Sequence, residues 1–194
     1  FGEPADPVIG INMTGLPEGE RIDPEEIFAF IKRLSPTAMP SAERIASPRI
    51  LSGIRNDKTT GAPLCAIIQN PDIQAAAEKP DPASLVQRGH ADYTGAARYQ
   101  GYCDVRKNVL YSKRFAAPLC FAGAVCGQIL ERRGIYTGAH IAQVHNIKDN
   151  PFDPVNIDRD AVLSVRCKEF PVIHDYKGWL MLEDIGKAGD AVEA

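Results

Sequence analysis

A histidine near the middle of the chain has the neighbours that proton chemistry requires. His90 lies in the run Arg88-Gly89-His90-Ala91-Asp92-Tyr93-Thr94, after a proline-containing stretch that predicts a surface loop. The pKa of imidazole lies close to neutrality, so this side chain suits proton transfer or the stabilisation of a developing anion. Arg88, Asp92 and Arg98 could tune its proton affinity. The alternative is a loop histidine bonded to the backbone, and the residues alone leave both interpretations open.

A second candidate site consists of cations near the start of a helix. Arg106, Lys107, Lys113 and Arg114 flank the beginning of a helix that is predicted over residues 113–133. The free N–H groups and the dipole at a helix N-terminus favour negative charge, and nearby cations add to this preference. The pattern indicates an anion pocket. A solvated basic edge is the alternative.

Residue spacing argues against several other kinds of site. His140 and His145 are five residues apart in a predicted strand, so they would lie on opposite faces and could not bind one metal ion. The five cysteines are an odd number without a C-x-x-C pair, which favours reduced thiols in a cytoplasmic protein over disulfides or a zinc ribbon. Neither G-x-S-x-G nor a glycine-rich phosphate loop is present. We therefore predict no metal site and no serine nucleophile.

Composition and charge place the chain among ordinary globular proteins. Its 194 residues are 44% hydrophobic and 24% charged, with a formal net charge of −3. A chain this apolar is not intrinsically disordered, and its net charge provides no global basic field for nucleic acid or an anionic membrane. No apolar run is long enough to span a bilayer, and no secretory signal is visible at the start.

Hydrophobic periodicity predicts an α+β fold in which the first half carries most of the strands. A strand is expected over residues 8–13, and a helix begins at Asp23-Pro24 with Ile27, Phe28, Ile31 and Leu34 on one face. Two further strands, 49–54 and 63–69, surround a polar stretch and predict a hairpin. Residues 35–48 and 71–88 are expected to be irregular loops.

The second half is predicted to contain two helices and one strand. The helix over 113–133 is apolar on nearly every side, which indicates a central helix that is covered on several faces. A strand is expected over 139–147, followed by a polar loop over 150–160. A last helix is predicted from about residue 173 to residue 187, with Trp179, Leu180, Leu182 and Ile185 on its buried side. We predict one domain without a linker.

Six sequence blocks, in order, resemble the chorismate synthase family. Gly89-His90-Ala91-Asp92-Tyr93-Thr94 matches the family's G-H-A-D-Y-T and is the most specific of them. The other five blocks extend the resemblance over nearly the whole chain: Phe1-Gly2-Glu3, Gly15-Leu16-Pro17-Glu18-Gly19, Leu51-Ser52-Gly53 with Thr59-Thr60-Gly61-Ala62-Pro63, residues 117–124 with 138–141, and Val165-Arg166-Cys167.

The resemblance implies a fold, an activity and an assembly. The implied fold is a β-α-β sandwich with central helices packed between antiparallel sheets. The implied reaction is the anti-1,4-elimination of phosphate from 5-enolpyruvylshikimate 3-phosphate to give chorismate, in the shikimate pathway of aromatic amino acid biosynthesis. It requires reduced FMN, for which NADPH could be the reductant. A cytoplasmic homotetramer is also implied.

The resemblance also implies roles for individual residues. His90 matches one of the family's two functional histidines, so it is expected to be catalytic. Arg106, Ser112 and Arg114 fall on the flavin-binding segment, and Arg33 falls on the segment that binds the substrate phosphate. No metal ligand is implied.

The chain departs from the family pattern at two pocket positions. Ala5 replaces the family's first histidine, and Lys107-Asn108-Val109 replaces a triple glycine. The single domain over 1–194 is also expected to be truncated, because family members continue into a second half. Two hypotheses follow: the chain is the N-terminal part of a flavin-dependent lyase, or it is a catalytically inactive structural or partner subunit.

Overall fold

The structure is a computed structural model, and it describes residues 1–2, 7–32, 47–69, 92–100, 102 and 116–193. The chain divides into two compact units, Phe1–Ile129 and Leu130–Ala194. Both units contain helices, and every strand pair among the described residues is antiparallel. The predicted α+β class is therefore confirmed.

A three-stranded antiparallel sheet forms one layer of the first unit. Strand β1 (Val8–Met13) pairs with β5 (Leu64–Gln69) from Val8 opposite Gln69 to Met13 opposite Leu64, and β2 (Arg49–Ser52) pairs with the other edge of β5. The inward residues alternate along β5, where Leu64, Ala66 and Ile68 are buried. This period of two is the pattern expected of a half-buried strand, so the three predicted strands are confirmed.

Along the chain, a small hairpin connects β2 to β5. Strands β3 (Ile54–Arg55) and β4 (Lys58–Thr59) are joined by Asn56 and Asp57, which have φ angles of 51° and 58°. Two successive residues with positive φ are typical of the tight turn that matches the twist of a hairpin. The polar stretch between the two predicted strands therefore contains a short strand of its own at Lys58–Thr59, and the turn is shorter than this stretch suggests.

Helix α1 (Pro24–Lys32) begins where the sequence predicts. The carboxylate of Asp23 accepts hydrogen bonds from the amides of Glu25 at 2.9 Å and Glu26 at 3.4 Å, so Asp23 is the N-cap. Ile27 and Ile31 are buried, whereas Phe28 is at the margin of the buried face and remains 38% exposed. Leu34 and residues 35–46 lie outside the described residues.

Two more helices follow in the first part of the chain. Helix α2 (Asp92–Arg98) is short, and α3 (Ala116–Arg132) is the long helix predicted over 113–133. At the end of α3 the amide of Gly134, which has a φ of 75°, donates to Glu131 O, and the amide of Ile135 donates to Leu130 O. These bonds satisfy the last carbonyl groups of the helix, as Gly at this position predicts.

Helix α3 packs on the sheet and on α1 by one face. The core of the first unit combines residues from all three layers: Ile22, Ile27, Ile31, Leu64, Ala66, Phe121, Ala124, Val125 and Ile129. On another face of α3, Leu119 is 70% exposed and Gly123 meets no atom within 4 Å of an added Cβ. Among the described residues the buried side chains of α3 therefore lie on one side, most of its other positions are partly buried, and the prediction of cover on several faces stays a prediction.

The second unit opens with a hairpin in place of the predicted strand over 139–147. Strands β6 (Gln143–Val144) and β7 (Ile147–Lys148) are two residues each, and His145 lies in the turn between them with a φ of 48°. The alternating pattern predicted one continuous strand, but the chain reverses at His145-Asn146. His140 and His145 are consequently not on opposite faces of one strand, which is where the sequence analysis placed them.

Helices α4 (Arg159–Arg166) and α5 (Asp175–Glu193) complete the second unit. The sequence analysis missed α4 and correctly predicted α5, but of the four side chains that it expected to be buried only Leu180 is partly buried. Met181 is fully buried, whereas Trp179, Leu182 and Ile185 are 57%, 49% and 47% exposed. Gly178 lies beside Val172, so the backbone of α5 can approach the chain there and the face carrying Met181 turns inward.

Candidate functional site

All five predicted site residues lie outside the described residues. They are His90, Arg33, Arg106, Ser112 and Arg114, and the departures at Ala5 and 107–109 are outside as well. The structure does describe the elements next to them in the chain. Arg33 directly follows α1, His90 precedes α2 by two residues, and Ser112 and Arg114 precede α3. Helices α1, α2 and α3 are therefore the described elements that flank the predicted site residues in the chain.

Two hydrogen bonds connect the start of α1 to α3. The amide of Asp23 donates to Oε1 of Gln128 at 2.8 Å, and Nε2 of Gln128 donates to the carbonyl oxygen of Asp23 at 3.0 Å. A side-chain amide that is bonded in both directions fixes distance and orientation together. Sequence reasoning missed Gln128, since a polar residue near the end of an apolar helix carries no signal of its partner.

The first turns of α1 and α3 differ in charge. Helix α1 begins with Glu25 and Glu26, which occupy the positive end of its dipole. Helix α3 begins with Ala116, Ala117 and Pro118 and has no acidic residue in its first turn. The start of α3 is therefore electrostatically suited to an anion, whereas the start of α1 is not.

A buried threonine binds the Gly15–Gly19 turn to the small hairpin. Thr59 is 4% exposed, its hydroxyl donates to Pro17 O, and the same oxygen accepts from the amide of Glu20 at 2.9 Å. Its backbone adds two more bonds, because the amide of Gly19 donates to Thr59 O and the amide of Thr59 donates to Glu20 O, both at 2.8 Å. Two of the blocks on which the resemblance rests are thus joined through Thr59, which the sequence analysis did not single out.

An apolar cavity of about 510 Å³ lies near the first turn of α1. Its lining comes from α1, from the start of β2 and from α3: Pro24, Glu25, Ile27, Phe28, Ser47, Pro48, Ile50 and Phe121. Among the described residues of this lining, Glu25 is the one charged group. Because a carboxylate repels phosphate, Glu25 disfavours a phosphate group beside the first turn of α1.

Short helix α2 follows His90 and exposes aromatic side chains. Tyr93 is 72% exposed, and the guanidinium carbon of Arg98 lies 5.9 Å from the centroid of the Tyr99 ring. Arg98 therefore has an aromatic neighbour, although the sequence analysis considered it only as a tuning group for His90.

In the second unit a buried carboxylate bonds to backbone and imidazole. The side chain of Asp149 has no exposed surface, and it accepts from the amides of Ile173 at 2.6 Å and His174 at 3.0 Å. Nδ1 of His140 lies 3.1 Å from Oδ2, and it must be the donor because an ionised carboxylate has no proton to give. Burial raises the pKa of the Asp149 carboxyl, but these hydrogen bonds together with the Asn150 amide hold the pKa below its usual value.

The second unit also contains an exposed pair of a histidine and an aspartate. Nδ1 of His145 lies 3.0 Å from Oδ2 of Asp184, and the imidazole is 68% exposed.

No group of three or more His, Cys, Asp or Glu in the described part of the chain could hold a metal ion. No helix in the same described ranges is long and apolar enough to cross a membrane.

A comparison with known protein families identifies the chain's relatives. A family model described as chorismate synthase matches residues 1–191. The chain belongs to the chorismate synthase family. A chorismate synthase from Lancefieldella parvula is 36% identical over 173 residues, which cover 87% of this chain and 46% of that protein. A chorismate synthase from Korarchaeum cryptofilum is 34% identical over 147 residues, or 74% of this chain and 40% of that protein.

A solved structure supports the fold of this family member. A crystal structure of chorismate synthase aligns with a TM-score of 0.70 over 98% of this chain and 52% of that chain, at 22% sequence identity. At this identity the likeness concerns the fold. The chain spans about half the length of the relatives it matches.

Proposed function

We propose that this chain acts in the family's lyase reaction, the anti-1,4-elimination of phosphate from 5-enolpyruvylshikimate 3-phosphate that yields chorismate. The observation that carries this proposal is the family match over residues 1–191, which includes every block of the resemblance. The supports next to the predicted residues are compatible with it, because α3 begins without an acidic residue. The reaction belongs to aromatic amino acid biosynthesis.

The proposed division of labour follows the charges of the reaction. His90 manages the proton at the ring carbon or at the leaving phosphate, as a group with a pKa near neutrality can. Arg33 binds the substrate phosphate through charge-assisted hydrogen bonds. Its place after the last turn of α1, beside Lys32, is one where a cation is favoured by the helix dipole.

Reduced FMN is the proposed cofactor, with NADPH as its possible source of electrons. Arg106, Ser112 and Arg114 would hold its anionic groups next to the start of α3, where an acid-free first turn fits negative charge. When bound, reduced flavin supplies electron density for the loss of phosphate without net redox change. Glu25 and Glu26 make the start of α1 the poorer place for it.

We also propose the chain's setting: one domain over residues 1–194 that assembles as a homo-oligomer, a tetramer in the family, in the cytoplasm. Helices and antiparallel sheets in both compact units are compatible with the family's sandwich.

The test of the lyase activity is an anaerobic assay of the purified chain. FMN and dithionite are added first, and a perturbed flavin spectrum is expected. 5-Enolpyruvylshikimate 3-phosphate is added next, and chorismate absorbance is expected to rise. If flavin binds without turnover, the inactive partner subunit is the better description; if flavin does not bind, the assignment of the cofactor fails.

The H90A variant tests the role of His90. Loss of a general acid or base costs about 10²–10⁴-fold in rate, so turnover should fall by that factor while the flavin spectrum persists. H145A is the matched control, because His145 is an exposed imidazole in the second unit. Equal turnover of H90A and the unaltered chain would contradict the proposed role.

A further inference from the structure

One side chain of helix α3 bonds to both backbone groups at the start of helix α1. Oε1 of Gln128 accepts from the amide of Asp23 at 2.8 Å, and its Nε2 donates to the carbonyl oxygen of Asp23 at 3.0 Å. A single planar amide thus exchanges two hydrogen bonds with one backbone residue, as paired residues do in an antiparallel sheet. Because both bonds are partly buried, the loss of either would leave a backbone group that must find a new partner.

Asp23 is fixed to both helices at the same time. Its carboxylate accepts from the amides of Glu25 and Glu26, which are in the first turn of α1. Its backbone is held by Gln128, which belongs to α3. The direction of α1 relative to α3 is therefore set at Asp23 by hydrogen bonds, whose strength depends on angle as well as on distance.

The apolar contacts between the two helices do not set that direction in the same way. Both helices contribute to one core cluster, which contains Ile27 and Ile31 of α1 and Phe121, Val125 and Ile129 of α3. The free energy of burying apolar surface is roughly proportional to area and has no preferred direction. The cluster therefore holds α1 against α3, but it tolerates a small tilt better than two hydrogen bonds do.

A tilt at Asp23 is largest at the other end of α1. Nine residues of helix are about 13.5 Å long, so a tilt of about 10° at the first residue moves the last residue by about 2 Å. Lys32 is that last residue, and Arg33 follows it in the chain. Ser112 and Arg114 precede the first residue of α3. The bonds at Asp23 thus control the separation of the two helix ends that flank the predicted phosphate and flavin residues in the sequence.

We propose that Gln128 is a positioning residue for the lyase reaction. It fixes α1 on α3, and it thereby keeps the end of α1, which Arg33 follows, at a set distance from the start of α3. Gln128 acts through α1 and not on the reacting atoms. A misplacement of about 1 Å can cost about 100-fold in rate, so a displacement of about 2 Å at the end of α1 is large enough to impair turnover.

This inference rests on the proposed function for the roles of Arg33, Ser112 and Arg114. The separation of the two helix ends is a property of the fold, and it can be measured without flavin or substrate. One measurement therefore addresses the geometry and a second addresses the reaction.

Two variants separate the hydrogen bonds of Gln128 from its bulk. Q128M keeps the length and the helix propensity of glutamine but lacks both bonds. Q128N keeps the amide, but its side chain is one methylene shorter and cannot reach both backbone groups of Asp23 in the same geometry. Q69M is the matched control, because Gln69 is an exposed residue at the end of β5.

Pulsed electron paramagnetic resonance between spin labels at Lys32 and Leu119 tests the geometry. Both side chains are exposed, Lys32 in the last turn of α1 and Leu119 in the first turn of α3. Labels on introduced ketone side chains leave the five cysteines unmodified. We expect one narrow distance in the unaltered chain and in Q69M, and a distribution wider by about 2 Å in Q128M and Q128N. An unchanged distribution in Q128M would overturn the proposal, because a side chain without these bonds would then hold the helices equally well.

Turnover per bound flavin tests the consequence for the reaction. We expect the flavin spectrum of Q128M to persist and kcat per bound flavin to fall by about 10–100-fold, with a smaller change in KM because each segment keeps its own contacts. Normalisation to bound flavin removes the effect of a smaller folded fraction. A wider distance with unchanged turnover would also overturn the positioning role. If the unaltered chain shows no turnover, the proposed activity fails, and the distance measurement alone decides whether Gln128 positions the two helices.

Discussion

At the scale of single residues, two buried polar side chains serve as hydrogen-bond partners for backbone groups of distant segments. Thr59 and Asp149 are both buried, and each bonds to backbone groups of a segment distant in sequence. A buried polar group without a partner costs free energy, so both residues should be sensitive to small changes. For Thr59 and for Asp149, an exposed residue of the same type in the same unit serves as the control.

Removal of the Thr59 hydroxyl should destabilise the first unit. T59V keeps the shape of the side chain but leaves Pro17 O and the amide of Glu20 without this partner, at a cost of about 1–3 kcal/mol. T60V is the control, because Thr60 is exposed and its hydroxyl accepts a long hydrogen bond of 3.3 Å from the Ala62 amide. Urea unfolding measures both variants, and equal losses would contradict the role given to Thr59.

Neutralisation of Asp149 should destabilise the second unit. D149N removes the charge that accepts from Ile173 and His174, and we expect a loss of about 2 kcal/mol in the free energy of unfolding. Asp153 provides the control, since its exposed carboxylate also accepts from two amides, those of Val155 and Asn156. D153N should lose less stability in the same measurement.

The pH dependence of D149N follows from the lowered pKa of Asp149. The folded protein binds the proton less readily than the unfolded chain, so the stabilisation is complete above the unfolded pKa of about 3.9. It is lost as the pH falls through the folded pKa. The stability difference between the unaltered chain and D149N should therefore narrow as the pH falls below about 4. A difference that grew on acidification would contradict this account.

At the scale of elements, α3 illustrates the difference between composition and packing. Its apolar residues surround the helix, yet one side contributes the buried Phe121, Val125 and Ile129 while another exposes Leu119. Periodicity identified the helix correctly but could not select its covered faces, because small residues such as Gly123 leave space that only neighbouring elements can fill. The same limitation explains why three of the four residues predicted to be buried on α5, namely Trp179, Leu182 and Ile185, are exposed.

Glycine substitutions distinguish open helical sites from a crowded one. G123A should stabilise the first unit by about 0.5–1 kcal/mol, because the added Cβ meets nothing and alanine favours helix. G53A should have the opposite effect, since Gly53 has a φ of 86° and its Cβ would lie 2.4 Å from Cα of Leu64. Thermal and urea unfolding should show the two changes with opposite signs. Stabilisation by G53A would contradict the close approach between residue 53 and β5.

At the scale of the whole molecule, the family relationship extends further than the described geometry. The family match covers residues 1–191, whereas the residues with proposed chemical roles lie between or beside the described elements. The structure describes elements that flank those residues in the chain, with the Asp23–Gln128 connection, the Thr59 network and the acid-free start of α3. The lyase assay then tests the proposed activity directly.

The sequence by itself determined the family, the α+β class and most of the elements. Local patterns were sufficient for this, since capping at Asp23, alternation along β5 and the Gly134 end of α3 depend on neighbours within a few residues. The G-H-A-D-Y-T block was likewise readable without coordinates.

Only the tertiary structure decided which faces are covered and which distant residues meet. Gln128 joins Asp23 across 105 residues, Asp149 joins His174 across 25, and the chain reverses at His145 where a strand was predicted. These outcomes depend on long-range packing and on backbone hydrogen bonds whose partners no local pattern specifies. The exposed face of α5 belongs to the same class, because its exposure follows from the burial of Met181 on the opposite side.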